Sequence, residues 1–251
     1  MLSLKNLTKR FSGLLAVDGV SFEAQASRVT ALIGPNGAGK TTVLSMLSGL
    51  MKPTEGSATL DGREITSLKA NQIAKLGLRR SYQNLQMFED MSVLEVVMTG
   101  AHATGSAGPL AAMLRFPRVR REESAIEETA HHALQRVGLP KELFERDAVS
   151  LPYGFQRRVE FARALAANPR ILLLDEPAAG LNATETRELA DLISRLRAEG
   201  MTVLLIEHDM DLVMRLSDRI AVMNFGKLIA MGTPDEVRCN PKVIEAYLGV
   251  E

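Results

Sequence analysis

Three runs of apolar residues along the chain are short and nearly unbroken. They are Val29–Ile33 (VTALI), Ile171–Leu174 (ILLL) and Met201–Ile206 (MTVLLI). Continuous apolar runs of about four to eight residues are typical of strands buried on both faces, as in a parallel sheet covered by helices. The pattern therefore predicts an α/β protein in which these runs form neighbouring buried strands.

Other patterns predict the elements around these strands. Apolar residues recur at helical spacing from Val43 to Leu50 and over 183–199, where Gly200 ends the helix. The segments LSLKNL, GVSFEA and SATLDG have the character of edge strands, and the stretch from about 84 to 149 favours helix. The predicted organisation is a single domain over 1–251, with a core at about 1–83 and 156–232, an inserted helical subdomain at about 84–155 and a C-terminal helical tail at about 233–251.

Composition and charge exclude several classes of protein. The chain has 251 residues, 30 basic and 30 acidic, with a formal net charge of zero and a pI near 6.9, which argues against a dedicated nucleic-acid partner. No run approaches the roughly 18 apolar residues of a membrane span, and the N-terminal segment lacks the apolar region of a signal peptide. The single cysteine, Cys239, fits a reducing compartment. We therefore expect a cytoplasmic globular protein.

A glycine-rich segment, GPNGAGKT, follows the first apolar run and fits the pattern G-x-x-x-x-G-K-[ST] from Gly34 to Thr41. Its glycines let backbone N–H groups converge on phosphate oxygens, while Lys40 can reach the β- and γ-phosphates and the Thr41 hydroxyl can bind Mg²⁺. The helix that follows directs its positive N-terminal end at the same anion. An ordinary glycine turn is the alternative, but the position between a strand and a helix favours a nucleotide site.

Polar residues follow the other two apolar runs. Asp175 and Glu176 stand at the carboxyl end of the second run, where open α/β sheets bind ligands, and Pro177 ends that strand. We predict that Asp175 holds Mg²⁺, through a water molecule, and that Glu176 acts as general base on the attacking water. A strand that simply ends in polar residues is the alternative. His208, just beyond the third run, is a candidate hydrogen-bond donor to the γ-phosphate, or else an incidental loop histidine.

Taken in order, the phosphate loop, LPYGFQ, LLLDEP and His208 resemble the nucleotide-binding subunit of ABC transporters over nearly the whole chain. The resemblance implies a RecA-like P-loop NTPase core with an antiparallel β edge and an inserted α-helical subdomain, with ATP and Mg²⁺ as cofactors. It places the Q-loop glutamine, which contacts Mg²⁺ and water and couples to the permease, at Gln83, and the aromatic ring that stacks on adenine at Phe11. The nucleotide-binding residues that it implies are Phe11, Val17, Gly34, Asn36, Gly37, Ala38, Gly39, Lys40, Thr41, Thr42, Pro152, Tyr153 and Gly154.

The segment LPYGFQ occupies the position of the family's signature loop, whose pattern is L-S-G-G-Q. Leu151 and Gly154 match, whereas Pro152, Tyr153 and Phe155 replace the serine, the first glycine and the glutamine. Proline removes both a hydroxyl and a backbone N–H. In the family this loop grips the γ-phosphate bound by a second subunit, so the resemblance implies a head-to-tail dimer with ATP between the subunits. Our hypothesis is a weakened signature combined with an intact catalytic half.

The segments EPAAGLN, IEHDMDLVM, SDRIAVMNFGK and NPKVIEAYLG are similar to cassettes of branched-chain amino acid importers. This similarity implies a peripheral subunit on the cytoplasmic side of the inner membrane. Its partners would be two transmembrane permeases, a second ATPase subunit (the same chain or a different one) and, indirectly, a periplasmic or lipid-anchored solute-binding protein. Alternatives are a cassette for urea, other amino acids or lipopolysaccharide export, a soluble regulatory ABC ATPase, a P-loop kinase, and a cassette that binds ATP without hydrolysing it. The basic run 115–121 is interpreted as a solvated face, with contact to acidic lipids or a permease loop as the alternative.

Overall fold

The computed structural model describes residues 1–81, 89–102 and 117–248. The chain separates into two compact units, the first formed by 1–80 together with 170–251 and the second by 81–169. Two predictions from the sequence lie wholly or partly outside the described residues. They concern Gln83 and the basic run, of which Arg115 is not described.

The first unit contains two β-sheets. Its strands are β1 (Leu2–Phe11), β2 (Leu14–Ala24), β3 (Val29–Ile33), β4 (Glu55–Leu60), β5 (Arg63–Glu64), β6 (Leu78–Arg80), β7 (Ile171–Asp175), β8 (Thr202–Ile206), β9 (Arg219–Asn224) and β10 (Lys227–Gly232). Six of them form a sheet in the order β10-β9-β3-β8-β7-β6, in which only the β9–β10 pair is antiparallel. The other four form an antiparallel sheet in the order β2-β1-β4-β5. The predicted α/β core with an antiparallel sheet beside it is confirmed. Of the three predicted edge strands, only GVSFEA, in β2, lies at an edge, because β1 and β4 each pair with two neighbours.

The three apolar runs contribute the central strands β3, β7 and β8, and all residues of these strands are buried. Helices flank the sheets at α1 (Lys40–Leu47), α2 (Ala70–Lys75), α6 (Ala183–Ala198), α7 (Met210–Leu216), α8 (Pro234–Arg238) and α9 (Pro241–Leu248). The predicted helix over 183–199 corresponds to α6, which Asn182 caps by accepting hydrogen bonds from the backbone N–H groups of Thr184 and Glu185. The chain leaves this helix at Gly200, whose φ is 97°.

Two hydrophobic clusters cover the two faces of the six-stranded sheet. Leu32 belongs to the cluster that joins α1 and the antiparallel sheet, whereas its neighbours Ala31 and Ile33 belong to the cluster formed with Val213 of α7 and Val237 of α8. This division follows from the strand geometry, because successive side chains point to opposite faces. The loops at the carboxyl ends of the parallel strands are thereby supported from both sides.

The second unit is largely helical over its described residues. Its helices α3 (Val93–His102), α4 (Pro117–Arg136) and α5 (Tyr153–Ala166) pack against one another. Gly100 of α3 permits close contact with α5, since a Cβ there would lie 2.0 Å from the backbone oxygen of Arg163. The predicted boundary at 155/156 falls inside α5, and the structure instead divides the chain at 169/170. The difference arises because α5 is one continuous helix that packs on α3 and α4.

Candidate functional site

The phosphate loop runs from the end of β3 to the start of α1 and passes close to the backbone of neighbouring strands. A Cβ at Gly34, where φ is 148°, would lie 2.0 Å from the backbone oxygen of Met223. At Gly39, where φ is 97°, a Cβ would lie 2.4 Å from the backbone oxygen of Ala16. Only glycine fits both the backbone conformation and the space at these two positions. The two glycines therefore determine the path of the loop.

The other residues of the predicted phosphate loop lie at its tip and in the first turn of α1. Asn36 and Gly37 are exposed at the tip of the loop, while Ala38 is buried and accepts a hydrogen bond from the backbone N–H of Gly226. Thr41 and Thr42 lie in the first turn of α1, with Thr41 exposed. These residues place backbone and hydroxyl groups at the positive end of α1.

Lys40, the first residue of α1, is half-buried, and its Nζ donates hydrogen bonds to the backbone oxygens of Gly34 at 2.6 Å and Pro35 at 3.0 Å. Burial lowers the pKa of the Lys40 ammonium, while the nearby carboxylates of Glu176 and Asp175 act in the opposite direction. The structure thus brings together a lysine and two acidic residues that are far apart in sequence.

Asp175 ends β7 with its side chain only 5% exposed and forms a buried ion pair with Arg80 at the end of β6. Arg80 Nη2 donates to Asp175 Oδ2 at 2.6 Å, and Nη1 lies 3.2 Å from Ser45 Oγ in α1. Arg80 is not among the residues predicted from the sequence. The available signal was the Arg79–Arg80 pair, two basic residues at the end of a strand parallel to the one that carries Asp175.

Glu176 begins the turn after β7 in a left-handed conformation, with φ at 48°. Its N–H donates to the backbone oxygen of Ile206 at 2.9 Å, and its carbonyl accepts from the N–H of Ala179 at 3.1 Å. A residue with a side chain costs about 1–2 kcal/mol in this conformation. Such local strain is typical of functional sites that the surrounding structure holds in place.

His208 follows β8 and is exposed, with 69% of its side chain accessible. Its Nδ1 lies 3.8 Å from Oε2 of the preceding Glu207, whose side chain is 1% exposed. Glu207 is likewise absent from the predicted residues, although it directly follows an apolar run, just as Asp175 does. Asp209 then caps α7 by accepting a hydrogen bond from the N–H of Leu212.

Phe11 and Val17, both predicted to bind the nucleotide, differ in their exposure. Phe11, at the end of β1, is 40% exposed, and the Nζ of Lys9 lies 5.2 Å from its ring centroid. Val17 in β2 is completely buried, and its Cγ2 would lie 3.2 Å from a Cβ at Gly39. The Val17 side chain thus packs behind the loop at Gly39, and its contact with the nucleotide stays a prediction.

In the second unit, the LPYGFQ segment forms the start of α5. Pro152 is the N-cap residue, without a side-chain hydrogen bond, and its carbonyl accepts from the N–H groups of Phe155 and Gln156. Tyr153 is 41% exposed, with the guanidinium of Arg157 lying 5.5 Å from its ring centroid. The segment therefore presents the backbone of a helix N-terminus, with Gly154 in the first turn.

Comparison with known proteins identifies the family of this chain. The chain belongs to the ABC transporter family, which matches residues 17–179. Its class is thus a nucleotide-binding ATPase cassette. Residues 227–251 match a further family described as branched-chain amino acid ATP-binding cassette transporter.

Curated relatives and solved structures cover nearly the whole chain. The high-affinity branched-chain amino acid transport ATP-binding protein BraF of Pseudomonas aeruginosa is 48% identical over 99% of this chain and 98% of its own. LivG of Escherichia coli K12, with the same description, is 47% identical over the same shares. A crystal structure of the ADP conformation of an ATP-binding cassette of an ABC transporter is 33% identical, with a TM-score of 0.86 over 100% of this chain and 99% of that one.

Proposed function

We propose that this chain is the ATP-hydrolysing subunit of an importer of branched-chain amino acids. The observation that carries the proposal is the convergence of Lys40, Asp175 and Glu176 at the carboxyl edge of the parallel sheet, beside a loop built to receive phosphate. The solute is inferred from the names of the relatives that cover nearly the whole chain. The energy of ATP binding and hydrolysis would close and reopen a dimer and drive partner permeases.

The chain's own residues suit each part of this reaction. The loop N–H groups and the Lys40 ammonium hold the phosphates, and the exposed ring of Phe11 stacks on adenine. Glu176 accepts a proton from the attacking water, and His208 donates a hydrogen bond to the γ-phosphate. Gln83, which lies outside the described residues, completes the set as the Q-loop glutamine.

The donor set near the loop also fits Mg²⁺. Asp175 supplies a carboxylate and Thr41 a hydroxyl, and Mg²⁺ is commonly held by one or two carboxylates together with substrate phosphates. When bound, the ion neutralises charge that develops on the β- and γ-phosphates. Gln83 is proposed as a further contact of the same ion.

The groups of one subunit that would bind the nucleotide all lie at the carboxyl edge of its parallel sheet. They would leave the opposite side of the γ-phosphate uncovered. We therefore propose that a second ATPase subunit supplies its signature loop to the far side of the γ-phosphate, and that Pro152, Tyr153 and Gly154 serve the partner's nucleotide in return. Two permeases would hold the dimer at the cytoplasmic face of the inner membrane, with a solute-binding protein acting on their outer side. None of the helices in 1–81, 89–102 and 117–248 is long and apolar enough to cross a bilayer.

The proposal is tested by gentle detergent purification of the chain from its native membranes. We expect two polytopic permeases and a second ATPase subunit to co-purify, and the accompanying binding protein to bind leucine. An untagged strain serves as control. Recovery of soluble partners alone would contradict the transport role and favour a regulatory ATPase.

The products of the reaction distinguish an ATPase from a kinase. An ATPase releases equal amounts of ADP and inorganic phosphate, whereas phosphate transfer to an organic acceptor would favour a kinase.

Replacing Pro152 by serine is expected to strengthen the signature loop. The hydroxyl would accept a hydrogen bond in the first turn of α5 and stabilise the protein by about 1 kcal/mol relative to Pro152→Ala, which removes the ring without adding an acceptor. A hydrogen bond to the partner's nucleotide contributes roughly 1.5–3 kcal/mol, or about 10- to 150-fold in closure of the dimer. The measurement is the ATPase rate of the assembled complex at limiting ATP. Equal rates for the serine and alanine variants would show that the hydroxyl has no part in closure.

A further inference from the structure

Glu207 is a buried carboxylate that the proposed reaction leaves without a role. It follows β8 directly, its side chain is 1% exposed, and it precedes His208. Strands β7 and β8 are parallel neighbours, with Asp175 opposite Ile206. Glu176 and Glu207 are therefore the first residues beyond two adjacent strands, at the start of the two loops that carry the general base and the histidine.

The two carboxylate oxygens of Glu207 accept hydrogen bonds from both loops. Oε1 accepts from the backbone N–H of Ala178 at 2.8 Å, in the turn that begins at Glu176. Oε2 accepts from the backbone N–H of His208 at 3.2 Å. Since each bond fixes a backbone position within two residues of a functional side chain, the carboxylate links the two loops through one side chain.

The environment of Glu207 favours this bridging role. Burial raises the pKa of the Glu207 carboxyl, while the backbone N–H groups of Ala178, His208 and Asp209 and the adjacent His208 ring act in the opposite direction. A buried acidic group is costly unless its oxygens are satisfied, so the two loops must stay where their N–H groups can reach it. A neutral amide of the same shape offers only one acceptor oxygen.

We propose that Glu207 is a positioning residue for hydrolysis, whose carboxylate sets the separation between Glu176 and His208 by bonding the backbone of both loops. The inference rests on the proposed ATPase function. It assigns no contact between Glu207 and the nucleotide, so Glu207 affects turnover and leaves binding at the phosphate loop unchanged.

The test compares Glu207→Gln with Ile220→Val, a control that removes a buried methyl group in β9 away from both loops. For Glu207→Gln we expect kcat to fall on the order of 10-fold, with the KM for ATP changed less than about twofold, because one of the two N–H groups loses its acceptor. Amide exchange in peptides covering 176–182 or 206–210 should become at least about 10-fold faster. Ile220→Val should change neither kcat nor exchange in these peptides.

Several results would overturn the inference. Unchanged protection of both peptides in Glu207→Gln, or a fall in kcat no larger than that of Ile220→Val, would show that the carboxylate does not position the loops. If the glutamine variant does not fold, Glu207→Asp replaces it, and its shorter stem should likewise lower kcat at constant KM. If the wild-type protein did not hydrolyse ATP, both the proposed function and this inference would be wrong. If Glu207→Gln hydrolysed ATP at the wild-type rate, this inference alone would be wrong.

Discussion

Replacing Glu176 by glutamine is expected to slow ATP hydrolysis by about 10²–10⁴-fold while leaving ATP bound. The amide has the shape of the carboxylate but cannot accept a proton from water. Lys40 and the loop glycines are untouched, so the phosphates keep their donors. The measurement is the steady-state ATPase rate of the assembled complex together with binding of a fluorescent ATP analogue.

Glu64→Gln in β5 is the matched control, because it removes an exposed carboxylate at an edge strand. We expect that control to hydrolyse ATP at the wild-type rate. A Glu176→Gln protein that turned over normally would exclude Glu176 as general base, and one that failed to bind ATP would indicate a structural role for the left-handed turn.

Replacing Gly39 by alanine is expected to disrupt the phosphate loop and abolish nucleotide binding. Alanine at a φ of 97° costs about 1–2 kcal/mol, and a Cβ 2.4 Å from the Ala16 oxygen forces a backbone shift of a kind that typically costs about 1–3 kcal/mol more. The expected loss is therefore roughly 2–5 kcal/mol of stability, measured by urea denaturation, with loss of ATP-analogue binding.

Gly62→Ala provides the control for the backbone conformation alone. Gly62 has a similar positive φ of 79°, but a Cβ there meets no atom within 4 Å. We expect this variant to lose only about 1–2 kcal/mol and to bind nucleotide normally. Equal losses at the two glycines would mean that the approach to Ala16 has no energetic consequence.

The central sheet and the phosphate loop were predictable because both are local patterns. The strands β3, β7 and β8 are buried along their whole length, and apolar residues at most of their positions predict such burial. The loop could be predicted because its backbone conformation requires glycine at fixed positions, and this requirement is visible in the sequence. The roles of the site residues remain predictions that the variants above address.

Other features of the site depend on contacts between residues that are far apart in the sequence, and local sequence patterns do not predict such contacts. Arg80 bonds Asp175 across 95 residues, and Ala178 bonds Glu207 across 29. A valine such as Val17 is common in any strand, so the sequence does not show which way its side chain points. The structure shows that this side chain is buried behind Gly39. The boundary predicted at 155/156 lies within α5, because no local pattern shows that this helix packs on α3 and α4.

The Arg80–Asp175 ion pair also affects how the site treats free cations. A carboxylate enclosed in protein needs a compensating positive charge, and an uncompensated one costs several kcal/mol. Arg80 provides that compensation from within the fold, through an ion pair in which both side chains are buried. A divalent ion that arrived alone would meet a carboxylate whose charge Arg80 already compensates. Its binding free energy would therefore be small. The same ion carried by the phosphates of a nucleotide would bring its own negative partners, so we expect the site to favour the metal–nucleotide complex over the bare metal.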